Sequence, residues 1–309
     1  MLARQGPTEA KKFVVVLLKI CISGGLLFTV LSKTGIRKVT ATLEGINLQF
    51  LIAASLIYIV TIFLSSVRWR FLLSKDYELR KLFSFYMIGS FFNNILPGII
   101  GGDAIKAYYL YRDSGKSGPA IASVFLDRYI GFSALMALGL MAYPFGFRYF
   151  RNSYIEWALP VIVTLFILAS FLIVVLRIGK RFQIVSGLYD YIALFRSRRS
   201  VLAKTFSISI VIQILNILAV SLVSTGLEIA IPLLPLFIFV PIIATLATAP
   251  VSISGLGVRE ASFVLLFGFL GISPVQATAI SFGWFLSVVV GSLPGFFEYL
   301  RYKKDKGHS

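Results

Sequence analysis

The chain has one cysteine, one histidine and only 13 acidic residues among 309. The lone thiol, Cys21, excludes an intramolecular disulfide and any metal site built on thiolates. His308 stands in the C-terminal tail, where it reads as a passive terminal residue, and no Ser/His/Asp constellation can be assembled around it. Charge is scarce as well: 14% of residues carry it, against roughly 25% in an ordinary soluble domain. A nucleotide signature is also missing, since Gly115-Lys116-Ser117 has the ending of a phosphate loop but Leu110 occupies the place of its first glycine. No metal and no cofactor are expected. Without a histidine base or a water-soluble domain, a stand-alone enzyme is not expected either.

What the chain has in abundance is apolar sequence, 58% of residues with a mean hydropathy of +0.88, and this predicts an all-α polytopic membrane protein. The net charge of +17 raises the question of nucleic acid. Lys and Arg fall between apolar stretches, however, and form no continuous basic face, so they read as topology signals and no nucleic-acid partner is expected. Residues 13–31 form a first span of about 28 Å as helix. Further apolar stretches run 50–67, 82–96, 117–143, 157–176, 204–227, 235–249, 261–271 and 274–297. Those at 82–96, 235–249 and 261–271 are too short to cross comfortably.

Basic residues gather in 1–12, 68–81, 104–116, 177–204 and 297–309, and are fewer in 32–49, 144–155 and 228–234. If the basic groups are cytoplasmic, both termini are inside. Residues 82–111 must then enter and return on one side, and 235–271 on the other. The expectation is a single membrane domain built as an inverted repeat, with three transmembrane helices and one re-entrant broken-helix hairpin per half. The first repeat is 1–143, the second 156–301, and 302–309 form a cytoplasmic tail.

Two stretches interrupt the apolar pattern. Asn93-Asn94-Ile95-Leu96-Pro97-Gly98-Ile99-Ile100-Gly101-Gly102-Asp103-Ala104-Ile105-Lys106 places Pro, Gly and charge where a helix should continue. Pro97 lacks an amide donor and the glycines relax the helix, which frees backbone groups at a depth where lipid offers no hydrogen bonds. Pro250-Val251-Ser252-Ile253-Ser254-Gly255-Leu256-Gly257-Val258-Arg259-Glu260 does the same half a chain later. Paired interruptions of this kind point to a transporter's binding site.

Asp103 suits a helix N-cap, and a half-helix N-terminus with free amides also suits a lipid phosphate. Lys106, one turn on, reads either as that anion's counter-charge or as a surface lysine. Asp127 and Arg128 lie near the middle of their span, where ionisable residues mark functional sites. Adjacent positions point about 100° apart, so each needs a partner from elsewhere, with Asp103, Lys106, Arg259 and Glu260 available. Ser123, Asp127 and Gly131 share one face and make a small polar groove. Glu260 in a first turn complements the helix dipole, whereas Arg259 opposes it, and an anionic partner such as phosphate accounts for the arginine better. Asn93, Asn94, Ser252 and Ser254 either line the same cavity or cap locally. Gln213 and Asn216 read as interhelical hydrogen-bonding groups, and Tyr108, Tyr109, Tyr111, Tyr299 and Tyr302 as an inner aromatic belt.

Three strings in order, Asn94-x-Leu96-Pro97-Gly98-x-x-Gly101-Gly102-Asp103, then Asp127-Arg128 followed by Gly131, then Ser252-x-Ser254-Gly255-x-Gly257-x-Arg259-Glu260, resemble the lysylphosphatidylglycerol synthase transmembrane (flippase-like) family. The likeness covers nearly the whole chain. It implies a membrane module that moves lipid between leaflets. In bifunctional members a separate soluble domain performs aminoacylation, so lysyl transfer is not implied for this sequence. The lipid stays open among phospholipids, polyprenyl-linked sugars and hopanoid-type lipids. The expected function is therefore a lipid translocase of the inner membrane. Its substrate-binding candidates are Asn93, Asn94, Gly101, Gly102, Asp103, Lys106, Asp127, Arg128, Ser252, Ser254, Arg259 and Glu260. Two other functions stay open: a non-transporting partner that presents lipid to a glycosyl- or aminoacyl-transferase, and a secondary transporter for a small anion.

Overall fold

The computed structural model describes residues 9–73, 75–95, 101–151, 153, 155–174, 189, 191, 193–195, 198–248 and 252–305. Its helices are α1 (Glu9–Thr34), α2 (Ile36–Glu44), α3 (Leu48–Phe71), α4 (Leu79–Ile95), α5 (Gly101–Ser114), α6 (Ser117–Gly146), α7 (Ala158–Val174), α8 (Arg199–Gly226), α9 (Leu233–Thr248), α10 (Val258–Gly268), α11 (Pro274–Ser292) and α12 (Pro294–Asp305). Among the described residues there is no strand. Among the described residues, five helical stretches, 17–34, 48–71, 117–149, 199–226 and 274–303, are long and apolar enough to cross a bilayer. The chain is a multi-pass helical membrane protein. Four pieces of the sequence expectations lie outside the described residues: Leu96–Ile100 of the first break, Pro250 and Val251 of the second, His308, and most of the basic stretch 177–197.

Residues 32–49 were expected to form a loop, and they contain α2 instead. Gly35 adopts φ 79°, a conformation that costs glycine little and ends α1 sharply. The following turns put Val39 into the protein at 2% exposure, and Leu43 packs towards Gly283 of α11, so the short helix is held by tertiary contact. Local capping then fixes two long helices. Asn47 Oδ1 accepts the Gln49 amide at 2.9 Å to open α3, and Ser273 with Gln276 forms a capping box ahead of Pro274 in α11.

α4 and α5 run antiparallel. Lys81 near the start of α4 pairs with Asp113 near the end of α5, and at their crossing a Cβ on Gly89 would lie 2.7 Å from the Gly102 carbonyl oxygen. With 17 and 14 residues, the two helices span about 26 and 21 Å, less than the roughly 30 Å hydrocarbon core. α12 closes over α4 with equal intimacy, since Gly295 abuts the Met87 carbonyl. Tyr109, Tyr299 and Tyr302, expected in an inner aromatic belt, belong to this packing: Tyr109 stacks on Phe85 at 5.3 Å and meets Tyr302 edge-on at 4.9 Å, while Tyr299 meets Phe92. Tyr108 and Tyr111 stay exposed.

The main apolar core lies where α3 packs along α8, α6 along α8 and α11 along α3. Ile217, Val220, Phe239, Ile243, Phe263 and Phe267 are buried there. The second break turns through Ser254, Gly255 and Gly257, all at positive φ. A side chain on Gly257 would strike the Ser23 carbonyl and Leu26 of α1. Ser23 Oγ accepts the Ile253 amide at 2.7 Å, which ties this loop to α1.

Candidate functional site

The polar face expected on α6 exists, and α3 fills it. Trp69 Nε1 donates to Ser123 Oγ at 3.2 Å, and Arg68 Nε donates to Asp127 Oδ1 at 2.7 Å. Gly131 leaves the space that the Arg68 guanidinium occupies, because a Cβ there would lie 2.9 Å from Arg68 Nη1. A third helix completes the shell when Arg68 Nη1 donates to Ser209 Oγ of α8 at 2.9 Å. Both side chains of the Arg68–Asp127 pair are buried, at 6% and 0% exposure. Two such charges persist in an apolar interior only with this level of compensation.

Asp127 is satisfied further by Tyr86 of α4, whose hydroxyl donates to Oδ2 at 2.5 Å. Lys106 Nζ lies 3.9 Å from the same oxygen and 2.9 Å from Asp103 Oδ1. It also sits 3.8 Å from the centre of the Tyr86 ring, a cation–π arrangement. Lys106 is 3% exposed, so the surface-lysine reading is wrong: the α4–α5 hairpin folds it inward. Asp103 is the third residue of α5, and its second oxygen accepts from Arg128 Nε at 2.5 Å. One carboxylate thus serves two cations. Of these, Arg128 is the accessible one, with 48% of its side chain exposed.

These groups border a cavity of about 320 Å³. α3 contributes Tyr58, Thr61, Ser65 and Arg68; α4 contributes Tyr86, Gly89, Ser90 and Asn93; α5 contributes Gly102, Asp103 and Lys106. The far wall is Arg128, Gly131 and Phe132 of α6, Gln213 and Asn216 of α8, and Ala244 and Thr248 of α9. Both broken regions therefore reach one space, the first through α4 and α5 and the second through the end of α9. Gln213 also donates to the Gly131 carbonyl at 3.0 Å, combining the interhelical role expected of it with a place in the wall. Asn93 Oδ1 is buried with no hydrogen-bond partner among the described residues. On the outer side of Asp103 and Arg128 an apolar groove of about 530 Å³ runs between α5 and α6.

The second group of candidates lies elsewhere. Arg259 Nη2 donates to Glu260 Oε1 at 2.6 Å, its Nε reaches Ser281 of α11 at 3.2 Å, and its guanidinium covers the Phe285 ring at 4.5 Å. Glu260 Oε2 meanwhile accepts the Gly257 amide at 2.7 Å. Neighbouring residues on a helix were not expected to pair. They do here because Glu260 folds back towards the helix start, which brings its carboxylate beside Arg259. The anion that offsets Arg259 is its own neighbour, and neither residue lines the cavity. Ser252 is buried beside this cluster's loop with its hydroxyl unpartnered among the described residues, and Ser254 forms the strained turn. Asn94 donates to Ser292 Oγ at 2.9 Å and is also absent from the cavity lining, as is Gly101.

Sequence reading missed Arg68, Tyr58 and Tyr86. Arg68 was counted with the basic loop at 68–81, yet it is buried within α3. The available signal was its position: it precedes Trp69 and follows Ser65 and Ser66 on an otherwise unbroken apolar helix.

Residues 16–295 match the family described as the lysylphosphatidylglycerol synthase TM region. A UPF0104 membrane protein of Methanocaldococcus jannaschii is 23% identical, with 93% of this chain and 94% of that protein aligned. Another from Methanothermobacter thermautotrophicus is 28% identical over 80% and 85% respectively. A third, from Pyrococcus horikoshii, is 23% identical over 64% and 58%. The chain spans nearly all of the first two relatives, and the match includes every charged residue of the cavity. By sequence, motif order and helical architecture, this chain belongs to the lysylphosphatidylglycerol synthase transmembrane-region family.

Proposed function

We propose that the chain is a lipid translocase of the cytoplasmic membrane, acting on lipids with an anionic head group. The observation that carries this reading is the position of Arg128. It is a half-exposed guanidinium at the boundary between a charge-lined cavity and an apolar groove on the outer surface of a membrane bundle. A head group in the cavity would leave its chains in lipid through that boundary. A site for a small water-soluble anion has no use for the groove.

The architecture that would move the head group is an inverted repeat, with α3, α4–α5 and α6 corresponding to α8, α9–α10 and α11. Several contacts support this pairing. α3 and α8, which would be counterparts, pack on each other, and the α6–α8 contact is matched by α11–α3. Rocking one half against the other about the α3–α8 contact would open the cavity towards either leaflet. Both termini would lie in the cytoplasm, and lysyl transfer is not part of the activity. Reconstitution of the purified protein into vesicles with fluorescent anionic lipids tests this reading. Accelerated exchange between leaflets is expected. A folded protein that moves no anionic lipid refutes it.

A further inference from the structure

The groove between α5 and α6 carries the argument one step further. Its floor is Val124 and Ala107, its walls are Tyr108 and Phe125, and Asp103 and Arg128 close its inner end. Tyr108 and Phe125 are exposed at 54% and 40%, whereas Val124 is buried, so the feature is a true furrow facing outward. Arg128 lies eleven residues into α6, about 16 Å, which is half the hydrocarbon thickness. The furrow runs from Arg128 towards the α5–α6 turn.

Charge decides what fits its inner end. Arg68, Lys106 and Arg128 face Asp103 and Asp127, so three cations meet two carboxylates and one positive charge is left over. Arg68 is committed to Asp127, and Lys106 sits between both carboxylates. The surplus therefore falls to Arg128, the exposed member, whose partner Asp103 is shared with Lys106. In low-dielectric surroundings one uncompensated charge calls for one anionic charge. A guanidinium fork is matched to phosphate oxygens.

We propose that this furrow is the chain-binding track for a phosphodiester lipid of single net negative charge. Its phosphate replaces Asp103 on Arg128, one acyl chain lies between Tyr108 and Phe125, and the remaining head group reaches towards the carbonyl oxygen of Asn93, unpartnered among the described residues. A hydroxyl-bearing head would satisfy that acceptor. The inference rests on the translocase reading for its biological meaning but predicts binding independently of movement.

The test uses the full chain in phosphatidylcholine vesicles with trace phosphatidylglycerol carrying a photoactivatable diazirine in its acyl chain. After irradiation, adducts are mapped by mass spectrometry. Adducts concentrated in residues 104–111 and 117–128 are expected, several-fold above those from a diazirine phosphatidylcholine. Arg128→Gln should lower them several-fold. Ile121→Trp alters an exposed groove residue without touching the core and should lower them too, which guards against a misfolded arginine variant. Adducts spread around the bundle, equal labelling by phosphatidylcholine, or indifference to both substitutions overturn the proposal. Binding of soluble glycerol phosphate that is lost in Arg128→Gln, with no chain adducts in the groove at any concentration of lipid, would assign Arg128 to a free anion and also overturn it. Leaflet exchange is measured in the same vesicles. Groove labelling without exchange upholds the track and removes the translocase reading, and exchange without groove labelling does the opposite.

Discussion

Replacing Asp127 by Asn removes one charge from the buried pair with Arg68 and leaves the other with little compensation. Arg68 cannot deprotonate, and the Ser209 hydroxyl to which it also donates carries no charge to replace the carboxylate. Breaking a buried ion pair from one side costs roughly 3–5 kcal/mol, and Asp127→Asn should fall at the upper end. Arg68→Gln should cost less, about 3 kcal/mol on the same scale, because the stranded Asp127 keeps its bond from Tyr86 and has Lys106 at 3.9 Å. At that distance two charges attract by about 4 kcal/mol for an effective dielectric near 20. The double variant Arg68→Gln/Asp127→Asn buries neither charge and should be far less damaged than the sum of the singles, with a coupling of about 3 kcal/mol or more. SDS-induced unfolding in mixed micelles, followed by circular dichroism, measures all four corners of the cycle. Additivity within about 0.5 kcal/mol would mean that the two side chains do not share a dry environment, and the reasoning about the whole cavity would fail with it.

Three further outcomes follow from the geometry. Gly102→Ala should destabilise by about 1–3 kcal/mol, because the added carbon lands on the Gly89 carbonyl. Gly118→Ala, with nothing within 4 Å of the new carbon, should be neutral or slightly stabilising, and the same unfolding assay compares them. In a Cys21→Ser background, Lys75→Cys and Asp113→Cys should react with a membrane-impermeant maleimide from the same face, as the Lys81–Asp113 contact requires; labelling from opposite faces would break the α4–α5 hairpin. Arg259→Gln should lower stability by roughly 3–5 kcal/mol while leaving the lipid-charge preference of exchange in vesicles unchanged. A changed preference would place Arg259 in the binding site.

The limits of the helices were legible because hydropathy and length act locally. The short segments expected at 82–96, 235–249 and 261–271 correspond to α4, α9 and α10 within a few residues. Arg128 could be singled out because it stands at a depth where an ionised group needs a partner, and Asp103, picked out as a helix cap after the break, turned out to be that partner. What sequence position could not supply was direction. Arg68 ends a span and Arg259 begins a half-helix, so both looked like residues whose neighbourhood was settled by the membrane normal. The lateral packing settled it instead. Gly131 opens a hole into which α3 sends Arg68, whereas Gly257 lets the second break press on α1 and turns Arg259 towards Glu260 and Ser281.

The two broken regions consequently carry different loads, although their sequences look alike. In the second, the arginine and glutamate neutralise each other behind a capping contact, and the cluster is electrically closed. In the first, one aspartate is divided between a buried lysine and a half-exposed arginine, and the cluster is left one negative charge short. An exchange of partners at Arg128 needs no unfolding of the hairpin, since Lys106 holds Asp103 in place while the guanidinium turns outward. The equivalent exchange at Arg259 would strand Glu260 with no exposure to water. On the proposed translocase reading, ligand capture falls to the first hairpin, and the second is the rigid body against which it works.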